Sequence, residues 1–588
     1  MAAPTNGTCL IVDFEFPRWV RQQDGDTMRI CGIKLTHDGA IALIEDGRLV
    51  FCIEQEKRNN NPRYQHIVDL DDIVVALAGQ GLGPKDIDEF VIDGWPGDIE
   101  TRFDVVSRGK PVTLKGAPYL EPHASGLLAG YDGSGLMLGG KALPYRSYPH
   151  VTGHLASAYC TSPFAKAEQA ALCLLWDGGI PPRLYHVERG QARFIESLFP
   201  VIGHAYVVAG HKFGPYKRPN RSGGGDRSIA GKVMAYIALG SVDEAVVAVF
   251  QELYEERLAM DGKLGRNYPG DVKSIDHALA GLHDFFEASM ARLKDRSPED
   301  VLASFHVFLE RMLVREMDAA LQRHSYLAGT RNLCIAGGCG LNIKWNTALR
   351  GSALLDTVWV PPFPNDSGSA IGSACSAWAA DKGFIPIEWS VYSGPDLQHG
   401  DTPPGWEASP CSMHELAMVL ADNHPVVFLT GRAELGPRAL GGRSILAAAT
   451  SAGMKDHLNG IKHREHFRPV APICLEDRAP EFFSPGMPDR YMLFEHHTRD
   501  EQRNRIPAVV HLDGSARLQT VPRDSRHDVA RLLVAYERLT GLPLLCNTSA
   551  NHRGCGFFPD VAAACEWGRV EHIWSEGLLW TKTPPASS

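Results

Sequence analysis

The chain has no excess of positive charge, no paired cysteine motif and no long apolar run, and each absence removes a class of function. With 59 Lys and Arg against 69 Asp and Glu, the formal net charge is −10. A nucleic-acid partner held by bulk electrostatics is therefore not expected, although a local basic pocket for a small anion is compatible with that balance. The 13 cysteines are odd in number, scattered, and nowhere spaced CxxC. Zinc-ribbon motifs are thereby excluded, and the expected state is free thiols in a reducing cytoplasm. No apolar stretch approaches the ~20 residues that span a bilayer, so no membrane partner is expected. Residues 1–27 show no basic segment followed by an apolar run, so they read as an extension rather than a secretory signal.

What is present is the composition of an ordinary globular protein, 44% hydrophobic and 22% charged. At 588 residues the chain is too long for one core, and two domains are expected. The first strand pattern, Met28–Leu35, ends in the polar turn Thr36-His37-Asp38-Gly39. Two apolar runs then flank Asp46-Gly47, a hairpin signal because both turn positions tolerate positive φ. The same grammar returns at Ala170–Trp176, Asp177-Gly178-Gly179, Pro182–Glu188, Arg189-Gly190 and Ala192–Ser197. Two copies of one pattern predict two related lobes facing a cleft. Ser297 is a fitting N-cap for a long core helix, with Pro298 in its first turn. A buried strand, Asn332–Ala336, follows and ends on Gly337-Gly338, where backbone amides can approach a nucleotide closely. Turn formers gather between 393 and 410, the linker candidate, and a second unit with a buried strand at Pro425–Leu429 is expected over 411–588.

Three groups of residues carry chemistry. His150 and His154 stand four apart, so on a helix both imidazoles face one cation. Asp177 and Asp366 each open a glycine- or serine-containing turn after an apolar stretch, and two His with two Asp suit iron, manganese or zinc. In the second unit, Arg438, Arg443, Lys462, Arg464, Arg468 and Arg517 are interleaved with Gly, Pro and Phe, and Asn547 and Ser549 add small polar donors. Arginine suits phosphate because its planar fork makes paired, charge-assisted hydrogen bonds. His37 lies in the first turn at the cleft edge, where an imidazole can take a proton from a hydroxyl, or simply bond nearby backbone.

These residues resemble a known family. His37-Asp38-Gly39-Ala40, Glu54-Gln55-Glu56-Lys57, His150 to His154, Gly231-Lys232-Val233-Met234 and Ala336 to Asn342 match it in order. So do Asp366 to Gly372, Gly431 to Leu440, Arg464 to Pro469 and Asn547-Thr548-Ser549. The family is that of the O-carbamoyltransferases, which includes the Nod-factor, cephem, tobramycin and ansamycin enzymes. The resemblance implies an α/β chain with an actin-, sugar-kinase- and heat-shock-ATPase-like two-lobed domain over 28–392 and a YrdC-like domain over 411–588. It implies carbamoyl phosphate and ATP as substrates, joined as carbamoyl-adenylate in the second domain. It also implies transfer to a small-molecule hydroxyl in the first. Carried over by motif, His150, His154, Asp177 and Asp366 would hold iron(II), or Mn, Mg or Zn in its place. Asp177, Gly337, Gly338 and Asn342 would line the nucleotide. Arg438, Lys462, Arg468, Arg517, Asn547 and Ser549 would bind carbamoyl phosphate, with Arg438 and Lys462 also acting in the first reaction, and His37 would accept the hydroxyl proton. Gly39, Ala230 and Ser367 depart from the common pattern, and the form of the Leu35–Gly39 turn is similar to enzymes acting on ansamycin or other macrocyclic antibiotics. The alternatives are a tRNA threonylcarbamoylation enzyme, against which the acidic charge weighs, or carbamoylation of an aminoglycoside, cephem or Nod-factor hydroxyl.

Overall fold

The computed structural model describes residues 27–96, 101–122, 126–217, 227–259, 272–398 and 400–583. Of the expected N-terminal extension, residues 1–26 lie outside the described residues. The chain is mixed α/β. In space, the first sheet runs Arg48–Glu54, Ala40–Glu45, Arg29–Lys34, Glu89–Asp93, Lys141–Tyr148, Tyr131–Leu138. The second runs Gln191–Ser197, Ile180–Glu188, Ala171–Asp177, Asn332–Ala336, Thr357–Trp359. In both, the leading strand is antiparallel to its hairpin partner and parallel to the strand on its other side. The two repeated patterns in the sequence thus mark two sheets of one topology. Their hairpin turns share a backbone, with φ of 48° and 77° at Asp46-Gly47 and 50° and 72° at Arg189-Gly190. Positive φ at both positions matches the right-handed twist of the strands that the turn joins.

Two helices lie between these sheets. His150–Cys160 packs on the second sheet and Ser369–Lys382 on the first, and the two helices pack against each other. They approach at glycines: a Cβ on Gly372 would stand 2.0 Å from the carbonyl oxygen of Gly153. This contact fixes the distance between the two histidines on one helix and Asp366, just before the other. The outer face of the second sheet carries a helical layer rich in phenylalanine, including Phe250, Phe285, Phe286 and Phe305. The long helix in it, Pro298–Arg323, begins as expected, with the Ser297 hydroxyl accepting from the Asp300 amide at 3.1 Å.

The third large sheet has eight strands in the order Trp406–Pro410, Leu578–Lys582, His572–Ser575, Val426–Leu429, Arg443–Ala447, Leu544–Ser549, Ala471–Leu475, Gln519–Val521. Its core is separate, built around Phe428, Trp574, Leu545 and Tyr536. The turn-rich stretch 393–410 is not a free tether. Trp406–Pro410 pairs with Leu578–Lys582, the Cys52 amide donates to the Ser393 carbonyl at 2.8 Å, and the Gly394 amide donates to that of Ala433 at 2.9 Å. The described cysteines are free thiols, most of them buried. No helix among the described residues is long and apolar enough to cross a membrane.

Gly372→Ala is expected to force the two central helices apart, at an overpacking cost of about 1–3 kcal/mol. A lower melting temperature by circular dichroism checks this; an unchanged melt would show that the crossing tolerates a methyl group.

Candidate functional site

The residues expected to act together converge where parallel strands end. Lys34, Asp93 and Asp177 are the last residues of their strands, His150 follows Tyr148 by two, and Gly337 follows Ala336. Carboxyl ends of parallel strands leave backbone groups unpaired beside a crevice, the usual ligand position in such sheets. His150 and His154 are fully buried on one helix face, with their Nε2 atoms 3.1 Å apart. The nearer carboxylate oxygen of Asp366 lies 3.5 Å from His150 Nε2 and 3.3 Å from His154 Nε2. Asp177 completes a group whose ligand atoms all lie within 4.8 Å of one another. Two ligands on one ion with ~2.1 Å bonds sit ~3.0–3.4 Å apart, so these spacings suit a divalent cation.

The surroundings of this group hold each member in place. Asp177 accepts from the Gly338 amide at 2.6 Å and from the Tyr119 hydroxyl at 3.1 Å, which joins the cation group to the Gly337-Gly338 turn. The Tyr119 ring stacks on His150 at 4.7 Å. Burial, with Asp177 and Asp366 close by, pushes the Tyr119 phenol well above its ordinary range. Burial opposes charge on His150, but Asp93 and Asp366 together outweigh it and raise the imidazole to about 9. His37 stands at the edge of this group, with Nδ1 2.9 Å from Asp38 and Nε2 3.5 Å from Asp366. The Asn342 side-chain oxygen caps the helix Ile343–Gly351, accepting from the amides of Lys344 and Trp345 at 3.2 and 3.3 Å. Its expected nucleotide contact is left to its amide nitrogen.

The basic residues converge in a second place. Arg438 is lowered to about 10 by burial and then by Arg63, Arg468 and Arg464. Burial, followed by Arg438 and Arg468, depresses Arg517 well below the usual arginine range. Lys462 is lowered by burial and then by Arg464, Arg63 and Arg468. Cations that depress one another form one field, and an anion placed among them relieves it. Lys462 has its three protons engaged by neutral oxygens, the Ser549 carbonyl at 2.7 Å, the Asn551 carbonyl at 2.6 Å and the Asn551 side chain. It straps the Ser549–Asn551 turn, and a contact with a ligand requires exchanging one of those bonds. Asn547 donates to the Ala439 carbonyl at 3.0 Å and to the Gln519 side chain at 2.8 Å, while its own side-chain oxygen is buried without a partner. Arg464 donates to Thr548 and Ser549 at 3.0 and 3.2 Å.

Sequence reasoning missed Lys34, Asp93 and Tyr119 beside the cation group, and Arg63 in the basic pocket. No motif signals them. Arg63 comes from the first unit, more than 370 positions from Arg438 along the chain, and joins the pocket because its amide donates to the Gly554 carbonyl at 2.8 Å.

Inorganic phosphate should therefore stabilise the protein beyond its ionic strength, by about 2.7 kcal/mol at one hundred times Kd. Thermal melts in phosphate and in chloride of equal ionic strength measure this, and Arg438→Ala should remove most of the difference. Equal melts in both salts would contradict a phosphate-sized pocket.

The chain matches known proteins along most of its length. Residues 29–375 match the family described as carbamoyltransferase N-terminus, and residues 417–573 match carbamoyltransferase C-terminus. Nodulation protein U of Rhizobium tropici is 69% identical over 555 residues, covering 94% of this chain and 96% of that protein. Nodulation protein U of Bradyrhizobium diazoefficiens is 68% identical, covering 95% and 98%. The 3'-hydroxymethylcephem-O-carbamoyltransferase of Streptomyces clavuligerus is 32% identical over 560 residues, covering 93% and 98%. With both halves of the family matched in order and relatives alike over nearly their whole length, the chain belongs to the carbamoyltransferase family.

Proposed function

We propose that this chain is an ATP-dependent O-carbamoyltransferase that works in two reactions at two sites. The support is the separation of a cation-rich pocket from a buried His/Asp cleft, with one loop, 431–438, running between them. In the pocket lined by Arg63, Arg438, Arg464, Arg468 and Arg517, carbamoyl phosphate loses inorganic phosphate with the entry of one water. The resulting carbamate oxygen attacks the α-phosphorus of ATP and pyrophosphate leaves. The product, carbamoyl-adenylate, moves inside the protein to the cleft at Asp177, Gly337 and Gly338. There His37 takes the proton of an acceptor hydroxyl, whose oxygen attacks the carbamoyl carbon, and AMP leaves. Asp38 holds the far side of the His37 ring at 2.9 Å, the orienting role that a carboxylate plays beside a basic imidazole. A divalent ion held by His150, His154, Asp177 and Asp366, iron(II) by family resemblance, would supply positive charge against the adenylate phosphate.

In this reading, residues 28–392 form the actin-like transfer domain and 411–588 the YrdC-like domain that makes the adenylate, joined through 393–410. The repeated sheet topology supports the first assignment. The substrates are small molecules, without nucleic acid or membrane.

For the acceptor, the form of the Leu35–Gly39 turn led to an expectation of an ansamycin or other macrocyclic antibiotic. Similarity to relatives supports a different choice. Proteins named nodulation protein U are 53–69% identical over at least 94% of this chain, against 32% for the cephem enzyme. We therefore assign the acceptor to a hydroxyl of a Nod factor. Trp95, whose ring lies 5.0 Å from that of His37, provides an aromatic wall at the place where the acceptor would enter.

The test supplies carbamoyl phosphate, ATP and a divalent metal, with Nod-factor or ansamycin alcohols as acceptors, and follows pyrophosphate, AMP and the carbamoylated product. Arg438→Ala should abolish pyrophosphate formation. His37→Asn should retain it and slow transfer by about 10²–10⁴-fold. Release of ADP in place of AMP and pyrophosphate would rule out the adenylate, and equal loss of both reactions in the two variants would rule out the division of labour.

A further inference from the structure

We propose that Lys34 and Asp93 are a positioning pair that sets how the His150, His154, Asp177 and Asp366 group holds a divalent ion, confining Asp366 to one ligand oxygen. This rests on reading that group as a metal site. Lys34 and Asp93 end two neighbouring parallel strands, in the register that pairs Ile33 with Ile92. Both side chains are 1% exposed. One oxygen of Asp93, Oδ2, accepts from Lys34 Nζ at 2.7 Å and from His150 Nδ1 at 2.7 Å. With Nδ1 as donor to Asp93, Nε2 is the nitrogen that faces His154 and Asp366, its proton giving way to a bound ion. A carboxylate behind a ligating imidazole also makes that nitrogen a stronger donor to a cation.

Lys34 acts on the other side of the same group. Its ammonium lies 3.0 Å from Asp366 Oδ2, whereas Asp366 Oδ1 is the oxygen that faces the two imidazoles. Asp366 is thereby divided, Oδ2 toward Lys34 and, at 3.5 Å, His37 Nε2, and Oδ1 toward the ion. The Trp95 ring covers the ammonium at 4.2 Å and closes it from the cleft. His154 has no counterpart to Asp93, since its Nδ1 is buried without a hydrogen-bond partner. The support is one-sided, and it falls on the imidazole that stacks against Tyr119.

A merely structural ion pair between two strands and a positioning pair make different predictions. A structural pair predicts that losing either partner weakens the fold and the site together. The positioning pair predicts opposite signs. Asp93→Asn keeps the shape but removes the charge behind His150, and should weaken metal binding about 10–100-fold. Lys34→Met removes a positive charge beside the ion and frees the second oxygen of Asp366, and should tighten binding severalfold, with Lys34→Gln as the variant of choice where Met does not fold. Asp93→Glu should restore much of the affinity lost in Asp93→Asn.

The experiment titrates metal-free full-length protein with Co²⁺ against a competing chelator, following the visible absorption of the bound ion. Pyrophosphate formation from carbamoyl phosphate and ATP checks that each variant is folded. Opposite shifts of affinity, with a changed Co²⁺ spectrum in Lys34→Met, support the pair. Equal affinities, or loss in both variants, overturn it while leaving the metal site standing. Failure of the wild-type protein to bind Co²⁺ in a manner that depends on His150 and His154 overturns the metal reading itself.

Discussion

A buried ion pair in the first half of this enzyme holds, through backbone hydrogen bonds, the loop of the second half that leads to the arginines. Lys57 Nζ bonds Glu54 at 2.7 Å and donates to the carbonyls of Glu434 and Gly436 at 2.7 and 2.5 Å. The Gly436 amide donates back to Glu54 at 2.8 Å. Glu54 ends the hairpin of the first lobe and Lys57 lies in the short helix Gln55–Arg58 that follows it, whereas Glu434 and Gly436 belong to the loop that leads to Arg438. That loop is caught on its other side as well. A Cβ on Gly436 would lie 2.0 Å from the carbonyl of Pro362, four residues before Asp366. Arg432 fixes its beginning, giving three hydrogen bonds to the carbonyls of Val50, Ser393 and Gly394. Removing one partner of a buried ion pair leaves the other charge uncompensated, at a cost of about 3–5 kcal/mol. Here that cost would fall on the spacing between the basic pocket and the cation group, because one loop determines both.

The two sites are electrostatic opposites within an acidic protein. One crowds arginines until they depress one another; the other gathers Asp93, Asp177 and Asp366 around two imidazoles. We read the first as suited to an anion and the second, where Lys34 already offsets part of the carboxylate charge, as suited to a divalent cation. Fixed charges aimed at a ligand need no reorganisation when it arrives, which is where such sites gain their catalytic effect. Lys462 shows a different use of charge. Its ammonium is bonded by backbone and amide oxygens, so it shapes the floor of the pocket and adds to the field, meeting a ligand by exchanging one of those bonds.

How much of this could be read from the sequence depends on distance along the chain. The His150/His154 pair, the two glycine hairpins and the Ser297 cap are local periodicities, and each appears where the spacing places it. Asp177 and Asp366 were legible as turn residues after buried runs, although only the approach of Gly372 to Gly153 brings Asp366 to the histidines. Arg63, Lys34 and Asp93 were not legible. Lys34 and Asp93 sit at the ends of strands whose interiors are apolar, and they meet through sheet pairing across 59 positions. Asn342, expected at the nucleotide, spends its oxygen on a helix cap, a role that any Asn before an apolar helix can take. The turn-rich stretch at 393–410 reads as a tether by composition, yet its last residues pair as a strand with a partner more than 160 positions away.

The central claim is that an activated carbamoyl group made at the arginines is used at the histidines of the same molecule, without entering solvent. Mixing the Arg438→Ala and His37→Asn proteins tests it directly, since each retains the site the other has lost. Internal transfer predicts that the mixture, given carbamoyl phosphate, ATP and acceptor, forms no more carbamoylated product than the two proteins assayed apart. Product restored by mixing would mean that the adenylate leaves one molecule and reaches another, and would contradict the account.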